Sequence, residues 1–154
     1  MTNMGFGPED RDAITDLLHR YTYAVDDGDF EEVGRLFAHG TFYGMGDDRP
    51  QSGAEKAAAF KRNLILYDDG TPLTQHRISN ITISFDPKTG RASSKCYVNV
   101  LQKVADRPLE VIVACRYDDV FERISGEWQF IERHAVRHLI GDISRHNRLA
   151  GHHQ

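Results

Sequence analysis

The sequence predicts a single α+β domain, in which N-terminal helices pack on the concave face of a curved, mainly antiparallel sheet. Apolar residues recur at helical spacing in the first part of the chain, and four long runs rich in β-branched and aromatic residues follow from Gln75 onward. A length of 154 residues with 40% hydrophobic content supports one hydrophobic core. We expect one domain over residues 1–154, with a core of about 9–140 and a flexible C-terminal tail.

The first helix is predicted by an apolar stripe that ends just before a cluster of acids. The stripe has the spacing i, i+3, i+4, i+7 and i+11 of an amphipathic helix and consists of Ile14, Leu17, Leu18, Tyr21 and Val25. Gly28 is expected to end this helix. Asp26 lies beside the stripe, where a carboxylate is costly unless another group pairs with it.

Two shorter helices are expected next. Asp29 can cap the first of them, and Glu32 stands three residues later, as in a capping box. The alanine-rich stretch "GAEKAAAFKRNLIL" predicts the other helix over residues 53–66.

The rest of the chain is predicted to form an antiparallel meander. The four strand-like runs are "QHRISNITISF", "RASSKCYVNVLQKV", "LEVIVACRYDDVFER" and "EWQFIERHAVRH". The turn segments "DPKTG", "ADRP" and "SGE" separate them, which favours consecutive hairpins. A curved sheet covered by helices can hold a pocket between the two layers.

Composition argues against several classes of partner and cofactor. A net charge of -4 and a pI of about 6.0 leave no basic stripe for nucleic acid, and no apolar window is long enough to cross a membrane. The N-terminal residues lack the pattern of a signal peptide, so we expect a cytoplasmic protein with reduced, buried cysteines at Cys96 and Cys115. No metal is expected at the His134/His138 pair or at the His152/His153 tail, and the absence of phosphate-loop and dinucleotide motifs predicts no cofactor.

Four segments, in this order, resemble the SnoaL-like branch of the nuclear transport factor two-like superfamily over about residues 9–140. They are "AITDLLHRYTYAVDDGDFEEVGRLFA", "HRISNITI", "GRASSKCYV" and "YDDVFERISGEWQFIERH". The branch includes scytalone dehydratase, lindane dehydrochlorinase, bile-acid dehydratases, polyketide cyclases and small subunits of ring-hydroxylating dioxygenases. The resemblance implies a cone-shaped fold and a catalytic pair formed by Asp26 and His76.

In this pair, Asp26 would orient the imidazole of His76 and stabilise its protonated form, so that His76 acts as a general base. The alternative is that Asp26 is an exposed residue at a helix end and His76 begins a strand at a loop mouth.

The resemblance also implies that Arg133 faces the pocket, where it would stabilise negative charge. The alternative is a surface arginine paired with a nearby glutamate. Tyr21 either donates a hydrogen bond to a substrate oxygen or packs in the core.

Three further residues are expected to supply polar groups to the pocket. Tyr97 and Asn99 share one side of the second strand, and Arg116 lies on the third. The sequence departs from the family here: scytalone dehydratase-like members place a second histidine in this region, where this chain reads "YVNVLQ".

The sequence therefore predicts a cofactor-independent lyase or isomerase, dehydratase-like or cyclase-like, acting on an apolar, ring-containing small molecule. Two alternatives remain: a non-catalytic small subunit of a ring-hydroxylating dioxygenase, and a small-molecule-binding domain. A sheet covered on one face leaves the other face for assembly, so a homo-oligomer, either a dimer or a trimer, is expected.

Overall fold

The described part of the chain forms three α-helices, one six-stranded sheet and a short C-terminal 3-10 helix (Arg148–His152). The structure, a computed structural model, describes residues 5–152; His153 of the terminal histidine pair lies outside this range. The helices are α1 (Pro8–Asp26), α2 (Phe30–Leu36) and α3 (Gly53–Asn63), and none of these described helices is long and apolar enough to cross a membrane. The strands are β1 (Thr41–Tyr43), β2 (Gln51–Ser52), β3 (Thr74–Asp86), β4 (Arg91–Gln102), β5 (Glu110–Ile124) and β6 (Glu127–Ile140).

The sheet has the strand order β2-β1-β6-β5-β4-β3. Strands β3 to β6 pair in sequence as antiparallel hairpins, which confirms the predicted meander. Strand β1 pairs parallel to β6, and β2 pairs antiparallel to β1. These two strands were not predicted, because segments of three and two residues are too short to show a period.

The core lies between α1 and the inward face of the long strands. The predicted apolar stripe of α1 is buried along its whole length, as Ile14, Leu18, Tyr21 and Val25 illustrate. Strand β4 alternates strictly between buried and exposed residues, so one face of the sheet meets the helices and the other faces outward.

A tight turn joins α1 to α2 and brings the end of α1 next to a second turn. Gly28 adopts a φ of +73°, and a Cβ at this position would lie 2.4 Å from the carbonyl oxygen of Gly70. Asp29 caps α2 by accepting a hydrogen bond from the backbone of Glu32 at 3.1 Å. The side chain of Glu32 binds Arg20 and Arg35, so only the cap half of the expected capping box is formed.

Beyond β6, the chain packs against the domain, where a flexible tail was expected. We call residues 141–147 the C-terminal strap. Gly141 donates a backbone hydrogen bond to Ile112 at 2.8 Å, and Ile65 donates one to His146 at 2.9 Å. The strap was not predicted, because backbone hydrogen bonds hold a segment that has no apolar periodicity.

Candidate active site

The last residue of α1 contacts the third residue of β3 through their side chains. Oδ1 of Asp26 lies 2.6 Å from Nδ1 of His76, so the predicted contact is present. Both side chains are largely shielded from solvent, with 16% of Asp26 and 6% of His76 exposed.

Asp26 occupies this place because β3 supplies hydrogen-bond donors to both of its oxygens. The hydroxyl of Thr74 donates to Oδ1 at 2.8 Å, and the backbone N–H of His76 donates to Oδ2 at 2.8 Å. A carboxylate at a helix C-terminus opposes the partial negative charge of the free carbonyl groups. Hydrogen bonds to an ionised oxygen are strong enough to offset that repulsion.

The contact also assigns the tautomer of His76. An ionised carboxylate only accepts hydrogen bonds, so Nδ1 of His76 carries the hydrogen. In the neutral ring, Nε2 then has the free lone pair. The arrangement can therefore accept a proton at Nε2 while Asp26 stabilises the resulting imidazolium.

A cavity of about 510 Å³ reaches the pair between α1 and the first residues of β3. Its lining is mixed in polarity. The lining residues are His19, Thr22, Tyr23, Asp26, Asp27, Thr74, Gln75, His76, Arg77 and Ile78.

The structure brings Tyr21 and Arg133 together in the core, away from this cavity lining. Arg133 is fully buried and forms two hydrogen bonds to Asp119, at 2.9 and 2.8 Å. Its guanidinium carbon lies 4.3 Å from the ring centre of Tyr21 and 4.0 Å from that of Tyr117. The alternative of a surface arginine paired with a nearby glutamate is wrong, because burial among aromatic rings makes Asp119 the partner.

The electrostatics of this cluster favour a structural ion pair. Burial raises the pKa of Asp119, and the charge of Arg133 opposes that effect. The Asp119 carboxylate in turn raises the pKa of Arg133 above its ordinary value, against the effect of burial. Burial raises the pKa of Tyr21 to about 12, so its hydroxyl stays protonated at neutral pH.

Tyr97, Asn99 and Arg116 lie together, but on the outward face of the sheet. They line a second cavity of about 500 Å³ with residues of β6, and none of them lines the cavity at Asp26 and His76. Arg116 pairs with Asp118 at 2.7 Å on this face. The expectation that these three residues share a pocket with the pair is corrected by the strand alternation, which directs them away from the helices.

Sequence reasoning missed two residues, Thr74 beside the Asp26 and His76 pair and Asp119 in the Arg133 cluster. Asp119 left a signal, because it falls at an inward position between Tyr117 and Phe121 of β5. Thr74 left none, since a threonine at the start of a strand is common.

The chain belongs to the family of SnoaL-like domains, whose model matches residues 8–134. The uncharacterized protein Rv2910c of Mycobacterium tuberculosis is 26% identical over 125 residues, which cover 80% of this chain and 82% of that protein. The uncharacterized protein Mb2934c of Mycobacterium bovis matches to the same extent.

Solved structures share the nuclear transport factor two-like fold. An NTF2-like protein from Novosphingobium aromaticivorans has a TM-score of 0.67 at 21% identity, over 82% of this chain and 80% of that chain. A protein of the same organism, provisionally assigned as a scytalone dehydratase, has a TM-score of 0.65 at 18% identity, over 87% and 89%. LinA has a TM-score of 0.63 at 20% identity, over 86% and 89%. Identities this low establish the fold alone.

Proposed function

We propose that the protein is a cofactor-independent lyase or isomerase that removes a proton from carbon, with His76 as general base and Asp26 as its orienting partner. The observation that carries this proposal is the 2.6 Å contact between the two side chains beside a cavity. Family membership supports it, because relatives of the same fold include a LinA protein and a provisionally assigned scytalone dehydratase. The substrate class is a small apolar molecule that contains a ring and a carbonyl or hydroxyl group.

The proposed reaction is an elimination with balanced proton transfer. Nε2 of His76 takes a proton from the carbon next to a carbonyl, and the C–H electron pair forms an enolate. The enolate then expels a hydroxyl from the neighbouring carbon, which leaves as water with the proton returned by the imidazolium. Asp26 stays ionised and stabilises the imidazolium between the two steps.

Nitrobenzisoxazole is a suitable probe, because it is a small aromatic ring that opens when a base removes its one reactive C–H proton. The coloured product, a cyano-nitrophenolate, reports turnover directly. We expect wild-type protein to open this ring and His76→Ala to lose turnover by about a hundredfold to ten-thousandfold, the range of general base catalysis. Asp26→Asn should also reduce kcat, because the amide neither fixes the tautomer nor stabilises the imidazolium.

His39→Ala is the matched control, since His39 is an exposed histidine that does not line this cavity. It should turn over the probe at the wild-type rate. Equal rates for wild type, His76→Ala and Asp26→Asn would refute the proposed base and favour a ligand-binding or non-catalytic role.

A further inference from the structure

The cavity on the outward face of the sheet is lined by basic residues, in a protein of net charge -4. Arg116 and Arg137 line it, and none of the described residues of its lining is an aspartate or a glutamate. Its volume of about 500 Å³ is within the range of small-molecule sites. It shares no lining residue with the cavity at Asp26 and His76, so it is a separate candidate site.

The two arginines of this cavity differ in their partners. Arg116 donates to the Asp118 carboxylate from Nε at 2.9 Å and from Nη2 at 2.7 Å, which neutralises its charge and leaves Nη1. Arg137 forms no ion pair and no side-chain hydrogen bond with any group in residues 5–152. The uncompensated positive charge of the cavity is therefore that of Arg137.

A bulge in β6 directs Arg137 into the cavity. Two residues of β6, Arg137 and His138, stand opposite one residue of β5, Cys115. Both side chains of the bulge are exposed and line the cavity, whereas strict alternation would send one of them to the helix side. Arg137 has a φ of +52°, a left-handed conformation that is uncommon for residues other than glycine. Such a conformation persists where the surrounding structure fixes it, so the bulge holds the backbone from which this guanidinium extends.

The rest of the lining is largely apolar. Tyr97 of β4 and Leu139 of β6 stand on the two sides of β5, with 52% and 72% of their surface exposed. The small side chain of Ala114 lies on β5 between them, and Asn99 pairs with it across the strands. A ligand that complements this lining has an apolar body and one anionic group.

We propose that this cavity binds an apolar monocarboxylic acid, with the carboxylate on Arg137 and the aromatic or aliphatic body between Tyr97 and Leu139. The planar N–H groups of a guanidinium match a carboxylate, and Nη1 of Arg116 is a further donor. This inference does not rest on the proposed function. A second copy of the chain on this face would cover the cavity, so the acid and the second copy compete for one surface.

Titration calorimetry with naphthoate tests the site, and naphthylmethanol serves as a neutral probe of similar shape. We expect naphthoate to bind wild-type protein about tenfold more tightly than naphthylmethanol, because a carboxylate forms charge-assisted hydrogen bonds with a guanidinium. Arg137→Gln should weaken the binding of naphthoate by about tenfold and leave that of naphthylmethanol unchanged. Leu139→Ser should weaken both probes, since it removes part of the apolar wall.

Two further arginine variants locate the bound acid. Arg62→Gln makes the same change at an exposed arginine of α3 that lines neither cavity, and it should leave both affinities unchanged. Arg77→Gln changes an arginine that lines the cavity at Asp26 and His76. Loss of naphthoate binding in Arg77→Gln, with full binding retained in Arg137→Gln, would place the acid at that other cavity and overturn the proposal.

The remaining outcomes concern the charge and the shared surface. Equal affinities of wild-type protein for naphthoate and naphthylmethanol would overturn the role of the carboxylate. Saturating naphthoate should shift the mass of an oligomeric protein toward that of the monomer in light scattering. An oligomer that fails to bind naphthoate at millimolar concentration, or binds it without any change in mass, would refute the acid site on this face.

Discussion

At the scale of single residues, Asp26 and Arg133 show how a charged group is accommodated in this domain. Asp26 lies at the unfavourable end of a helix, yet three hydrogen bonds from Thr74 and His76 satisfy it. Arg133 is buried completely, with Asp119 as its only charged partner at hydrogen-bond distance among the described residues. The first group borders a cavity, and the second is enclosed by the core.

The Asp119 and Arg133 pair predicts a non-additive effect on stability. Asp119→Leu should lower the free energy of unfolding by about 3–5 kcal/mol, because it leaves a buried guanidinium without its counter-ion. Arg133→Met should cost a similar amount, and the Asp119→Leu/Arg133→Met double variant should cost less than either single change. Urea unfolding of the three variants measures these differences.

Asp118→Asn is the control for this cycle, because Asp118 pairs with Arg116 at the partly exposed surface. Its effect should be below about 1 kcal/mol. A double variant whose loss equals the sum of the single losses would contradict the coupling.

The sequence was sufficient to predict the position of a residue where the surrounding pattern is regular. Such a pattern is either the alternation of a strand or the apolar stripe of a helix. The place of Asp26 could be predicted, because it adjoins the apolar stripe of α1. The outward placement of Tyr97 and Asn99 could also have been predicted, since they alternate with Cys96 and Val98, which are apolar and buried. The place of the C-terminal strap could not, because it depends on backbone hydrogen bonds to distant segments.

At the scale of elements, Asp10 joins the start of α1 to the hairpin of β5 and β6. Its carboxylate accepts hydrogen bonds from the Trp128 indole at 2.9 Å, from Arg123 at 2.6 Å and from the backbone of Gly7 at 2.8 Å. These donors lower the pKa of Asp10 to about 2. One side chain therefore caps the helix and holds it on the sheet.

This link predicts a pH-dependent loss of stability. A carboxyl whose pKa is lower in the folded state stabilises the protein above its unfolded pKa, and the contribution is lost as pH falls through the folded value. Asp10→Asn should lower the free energy of unfolding by about 1–3 kcal/mol at pH 7, and the difference from wild type should disappear as pH falls from about 4 to about 2. Urea unfolding across this pH range measures it.

Asp16→Asn changes an exposed aspartate on the same helix and should have a small effect at every pH. A difference between Asp10→Asn and wild type that persists unchanged at about pH 2 would show that the charge of Asp10 is not responsible.

At the scale of the whole molecule, the change from helical period to alternation was sufficient to predict the three helices and the meander. The sequence did not predict the short strands β1 and β2 at one edge of the sheet, or the C-terminal strap. These parts are held by backbone pairing and by single ion pairs such as Arg145 with Asp106. Such contacts leave no periodic signature, because each depends on the fold already being formed.

The outward face of the sheet predicts assembly into a homo-oligomer. Large apolar side chains are exposed on this face, including Tyr97 at 52% and Leu139 at 72%, and they line a common cavity. A second copy of the chain would bury them, so we expect a dimer or trimer by light scattering at micromolar concentration.

The Tyr97→Lys/Leu139→Lys double variant should shift the mass toward that of the monomer. Tyr23→Lys changes a tyrosine of α1 that is 68% exposed, and it should leave the mass unchanged. A wild-type protein that is monomeric under these conditions would refute the oligomer.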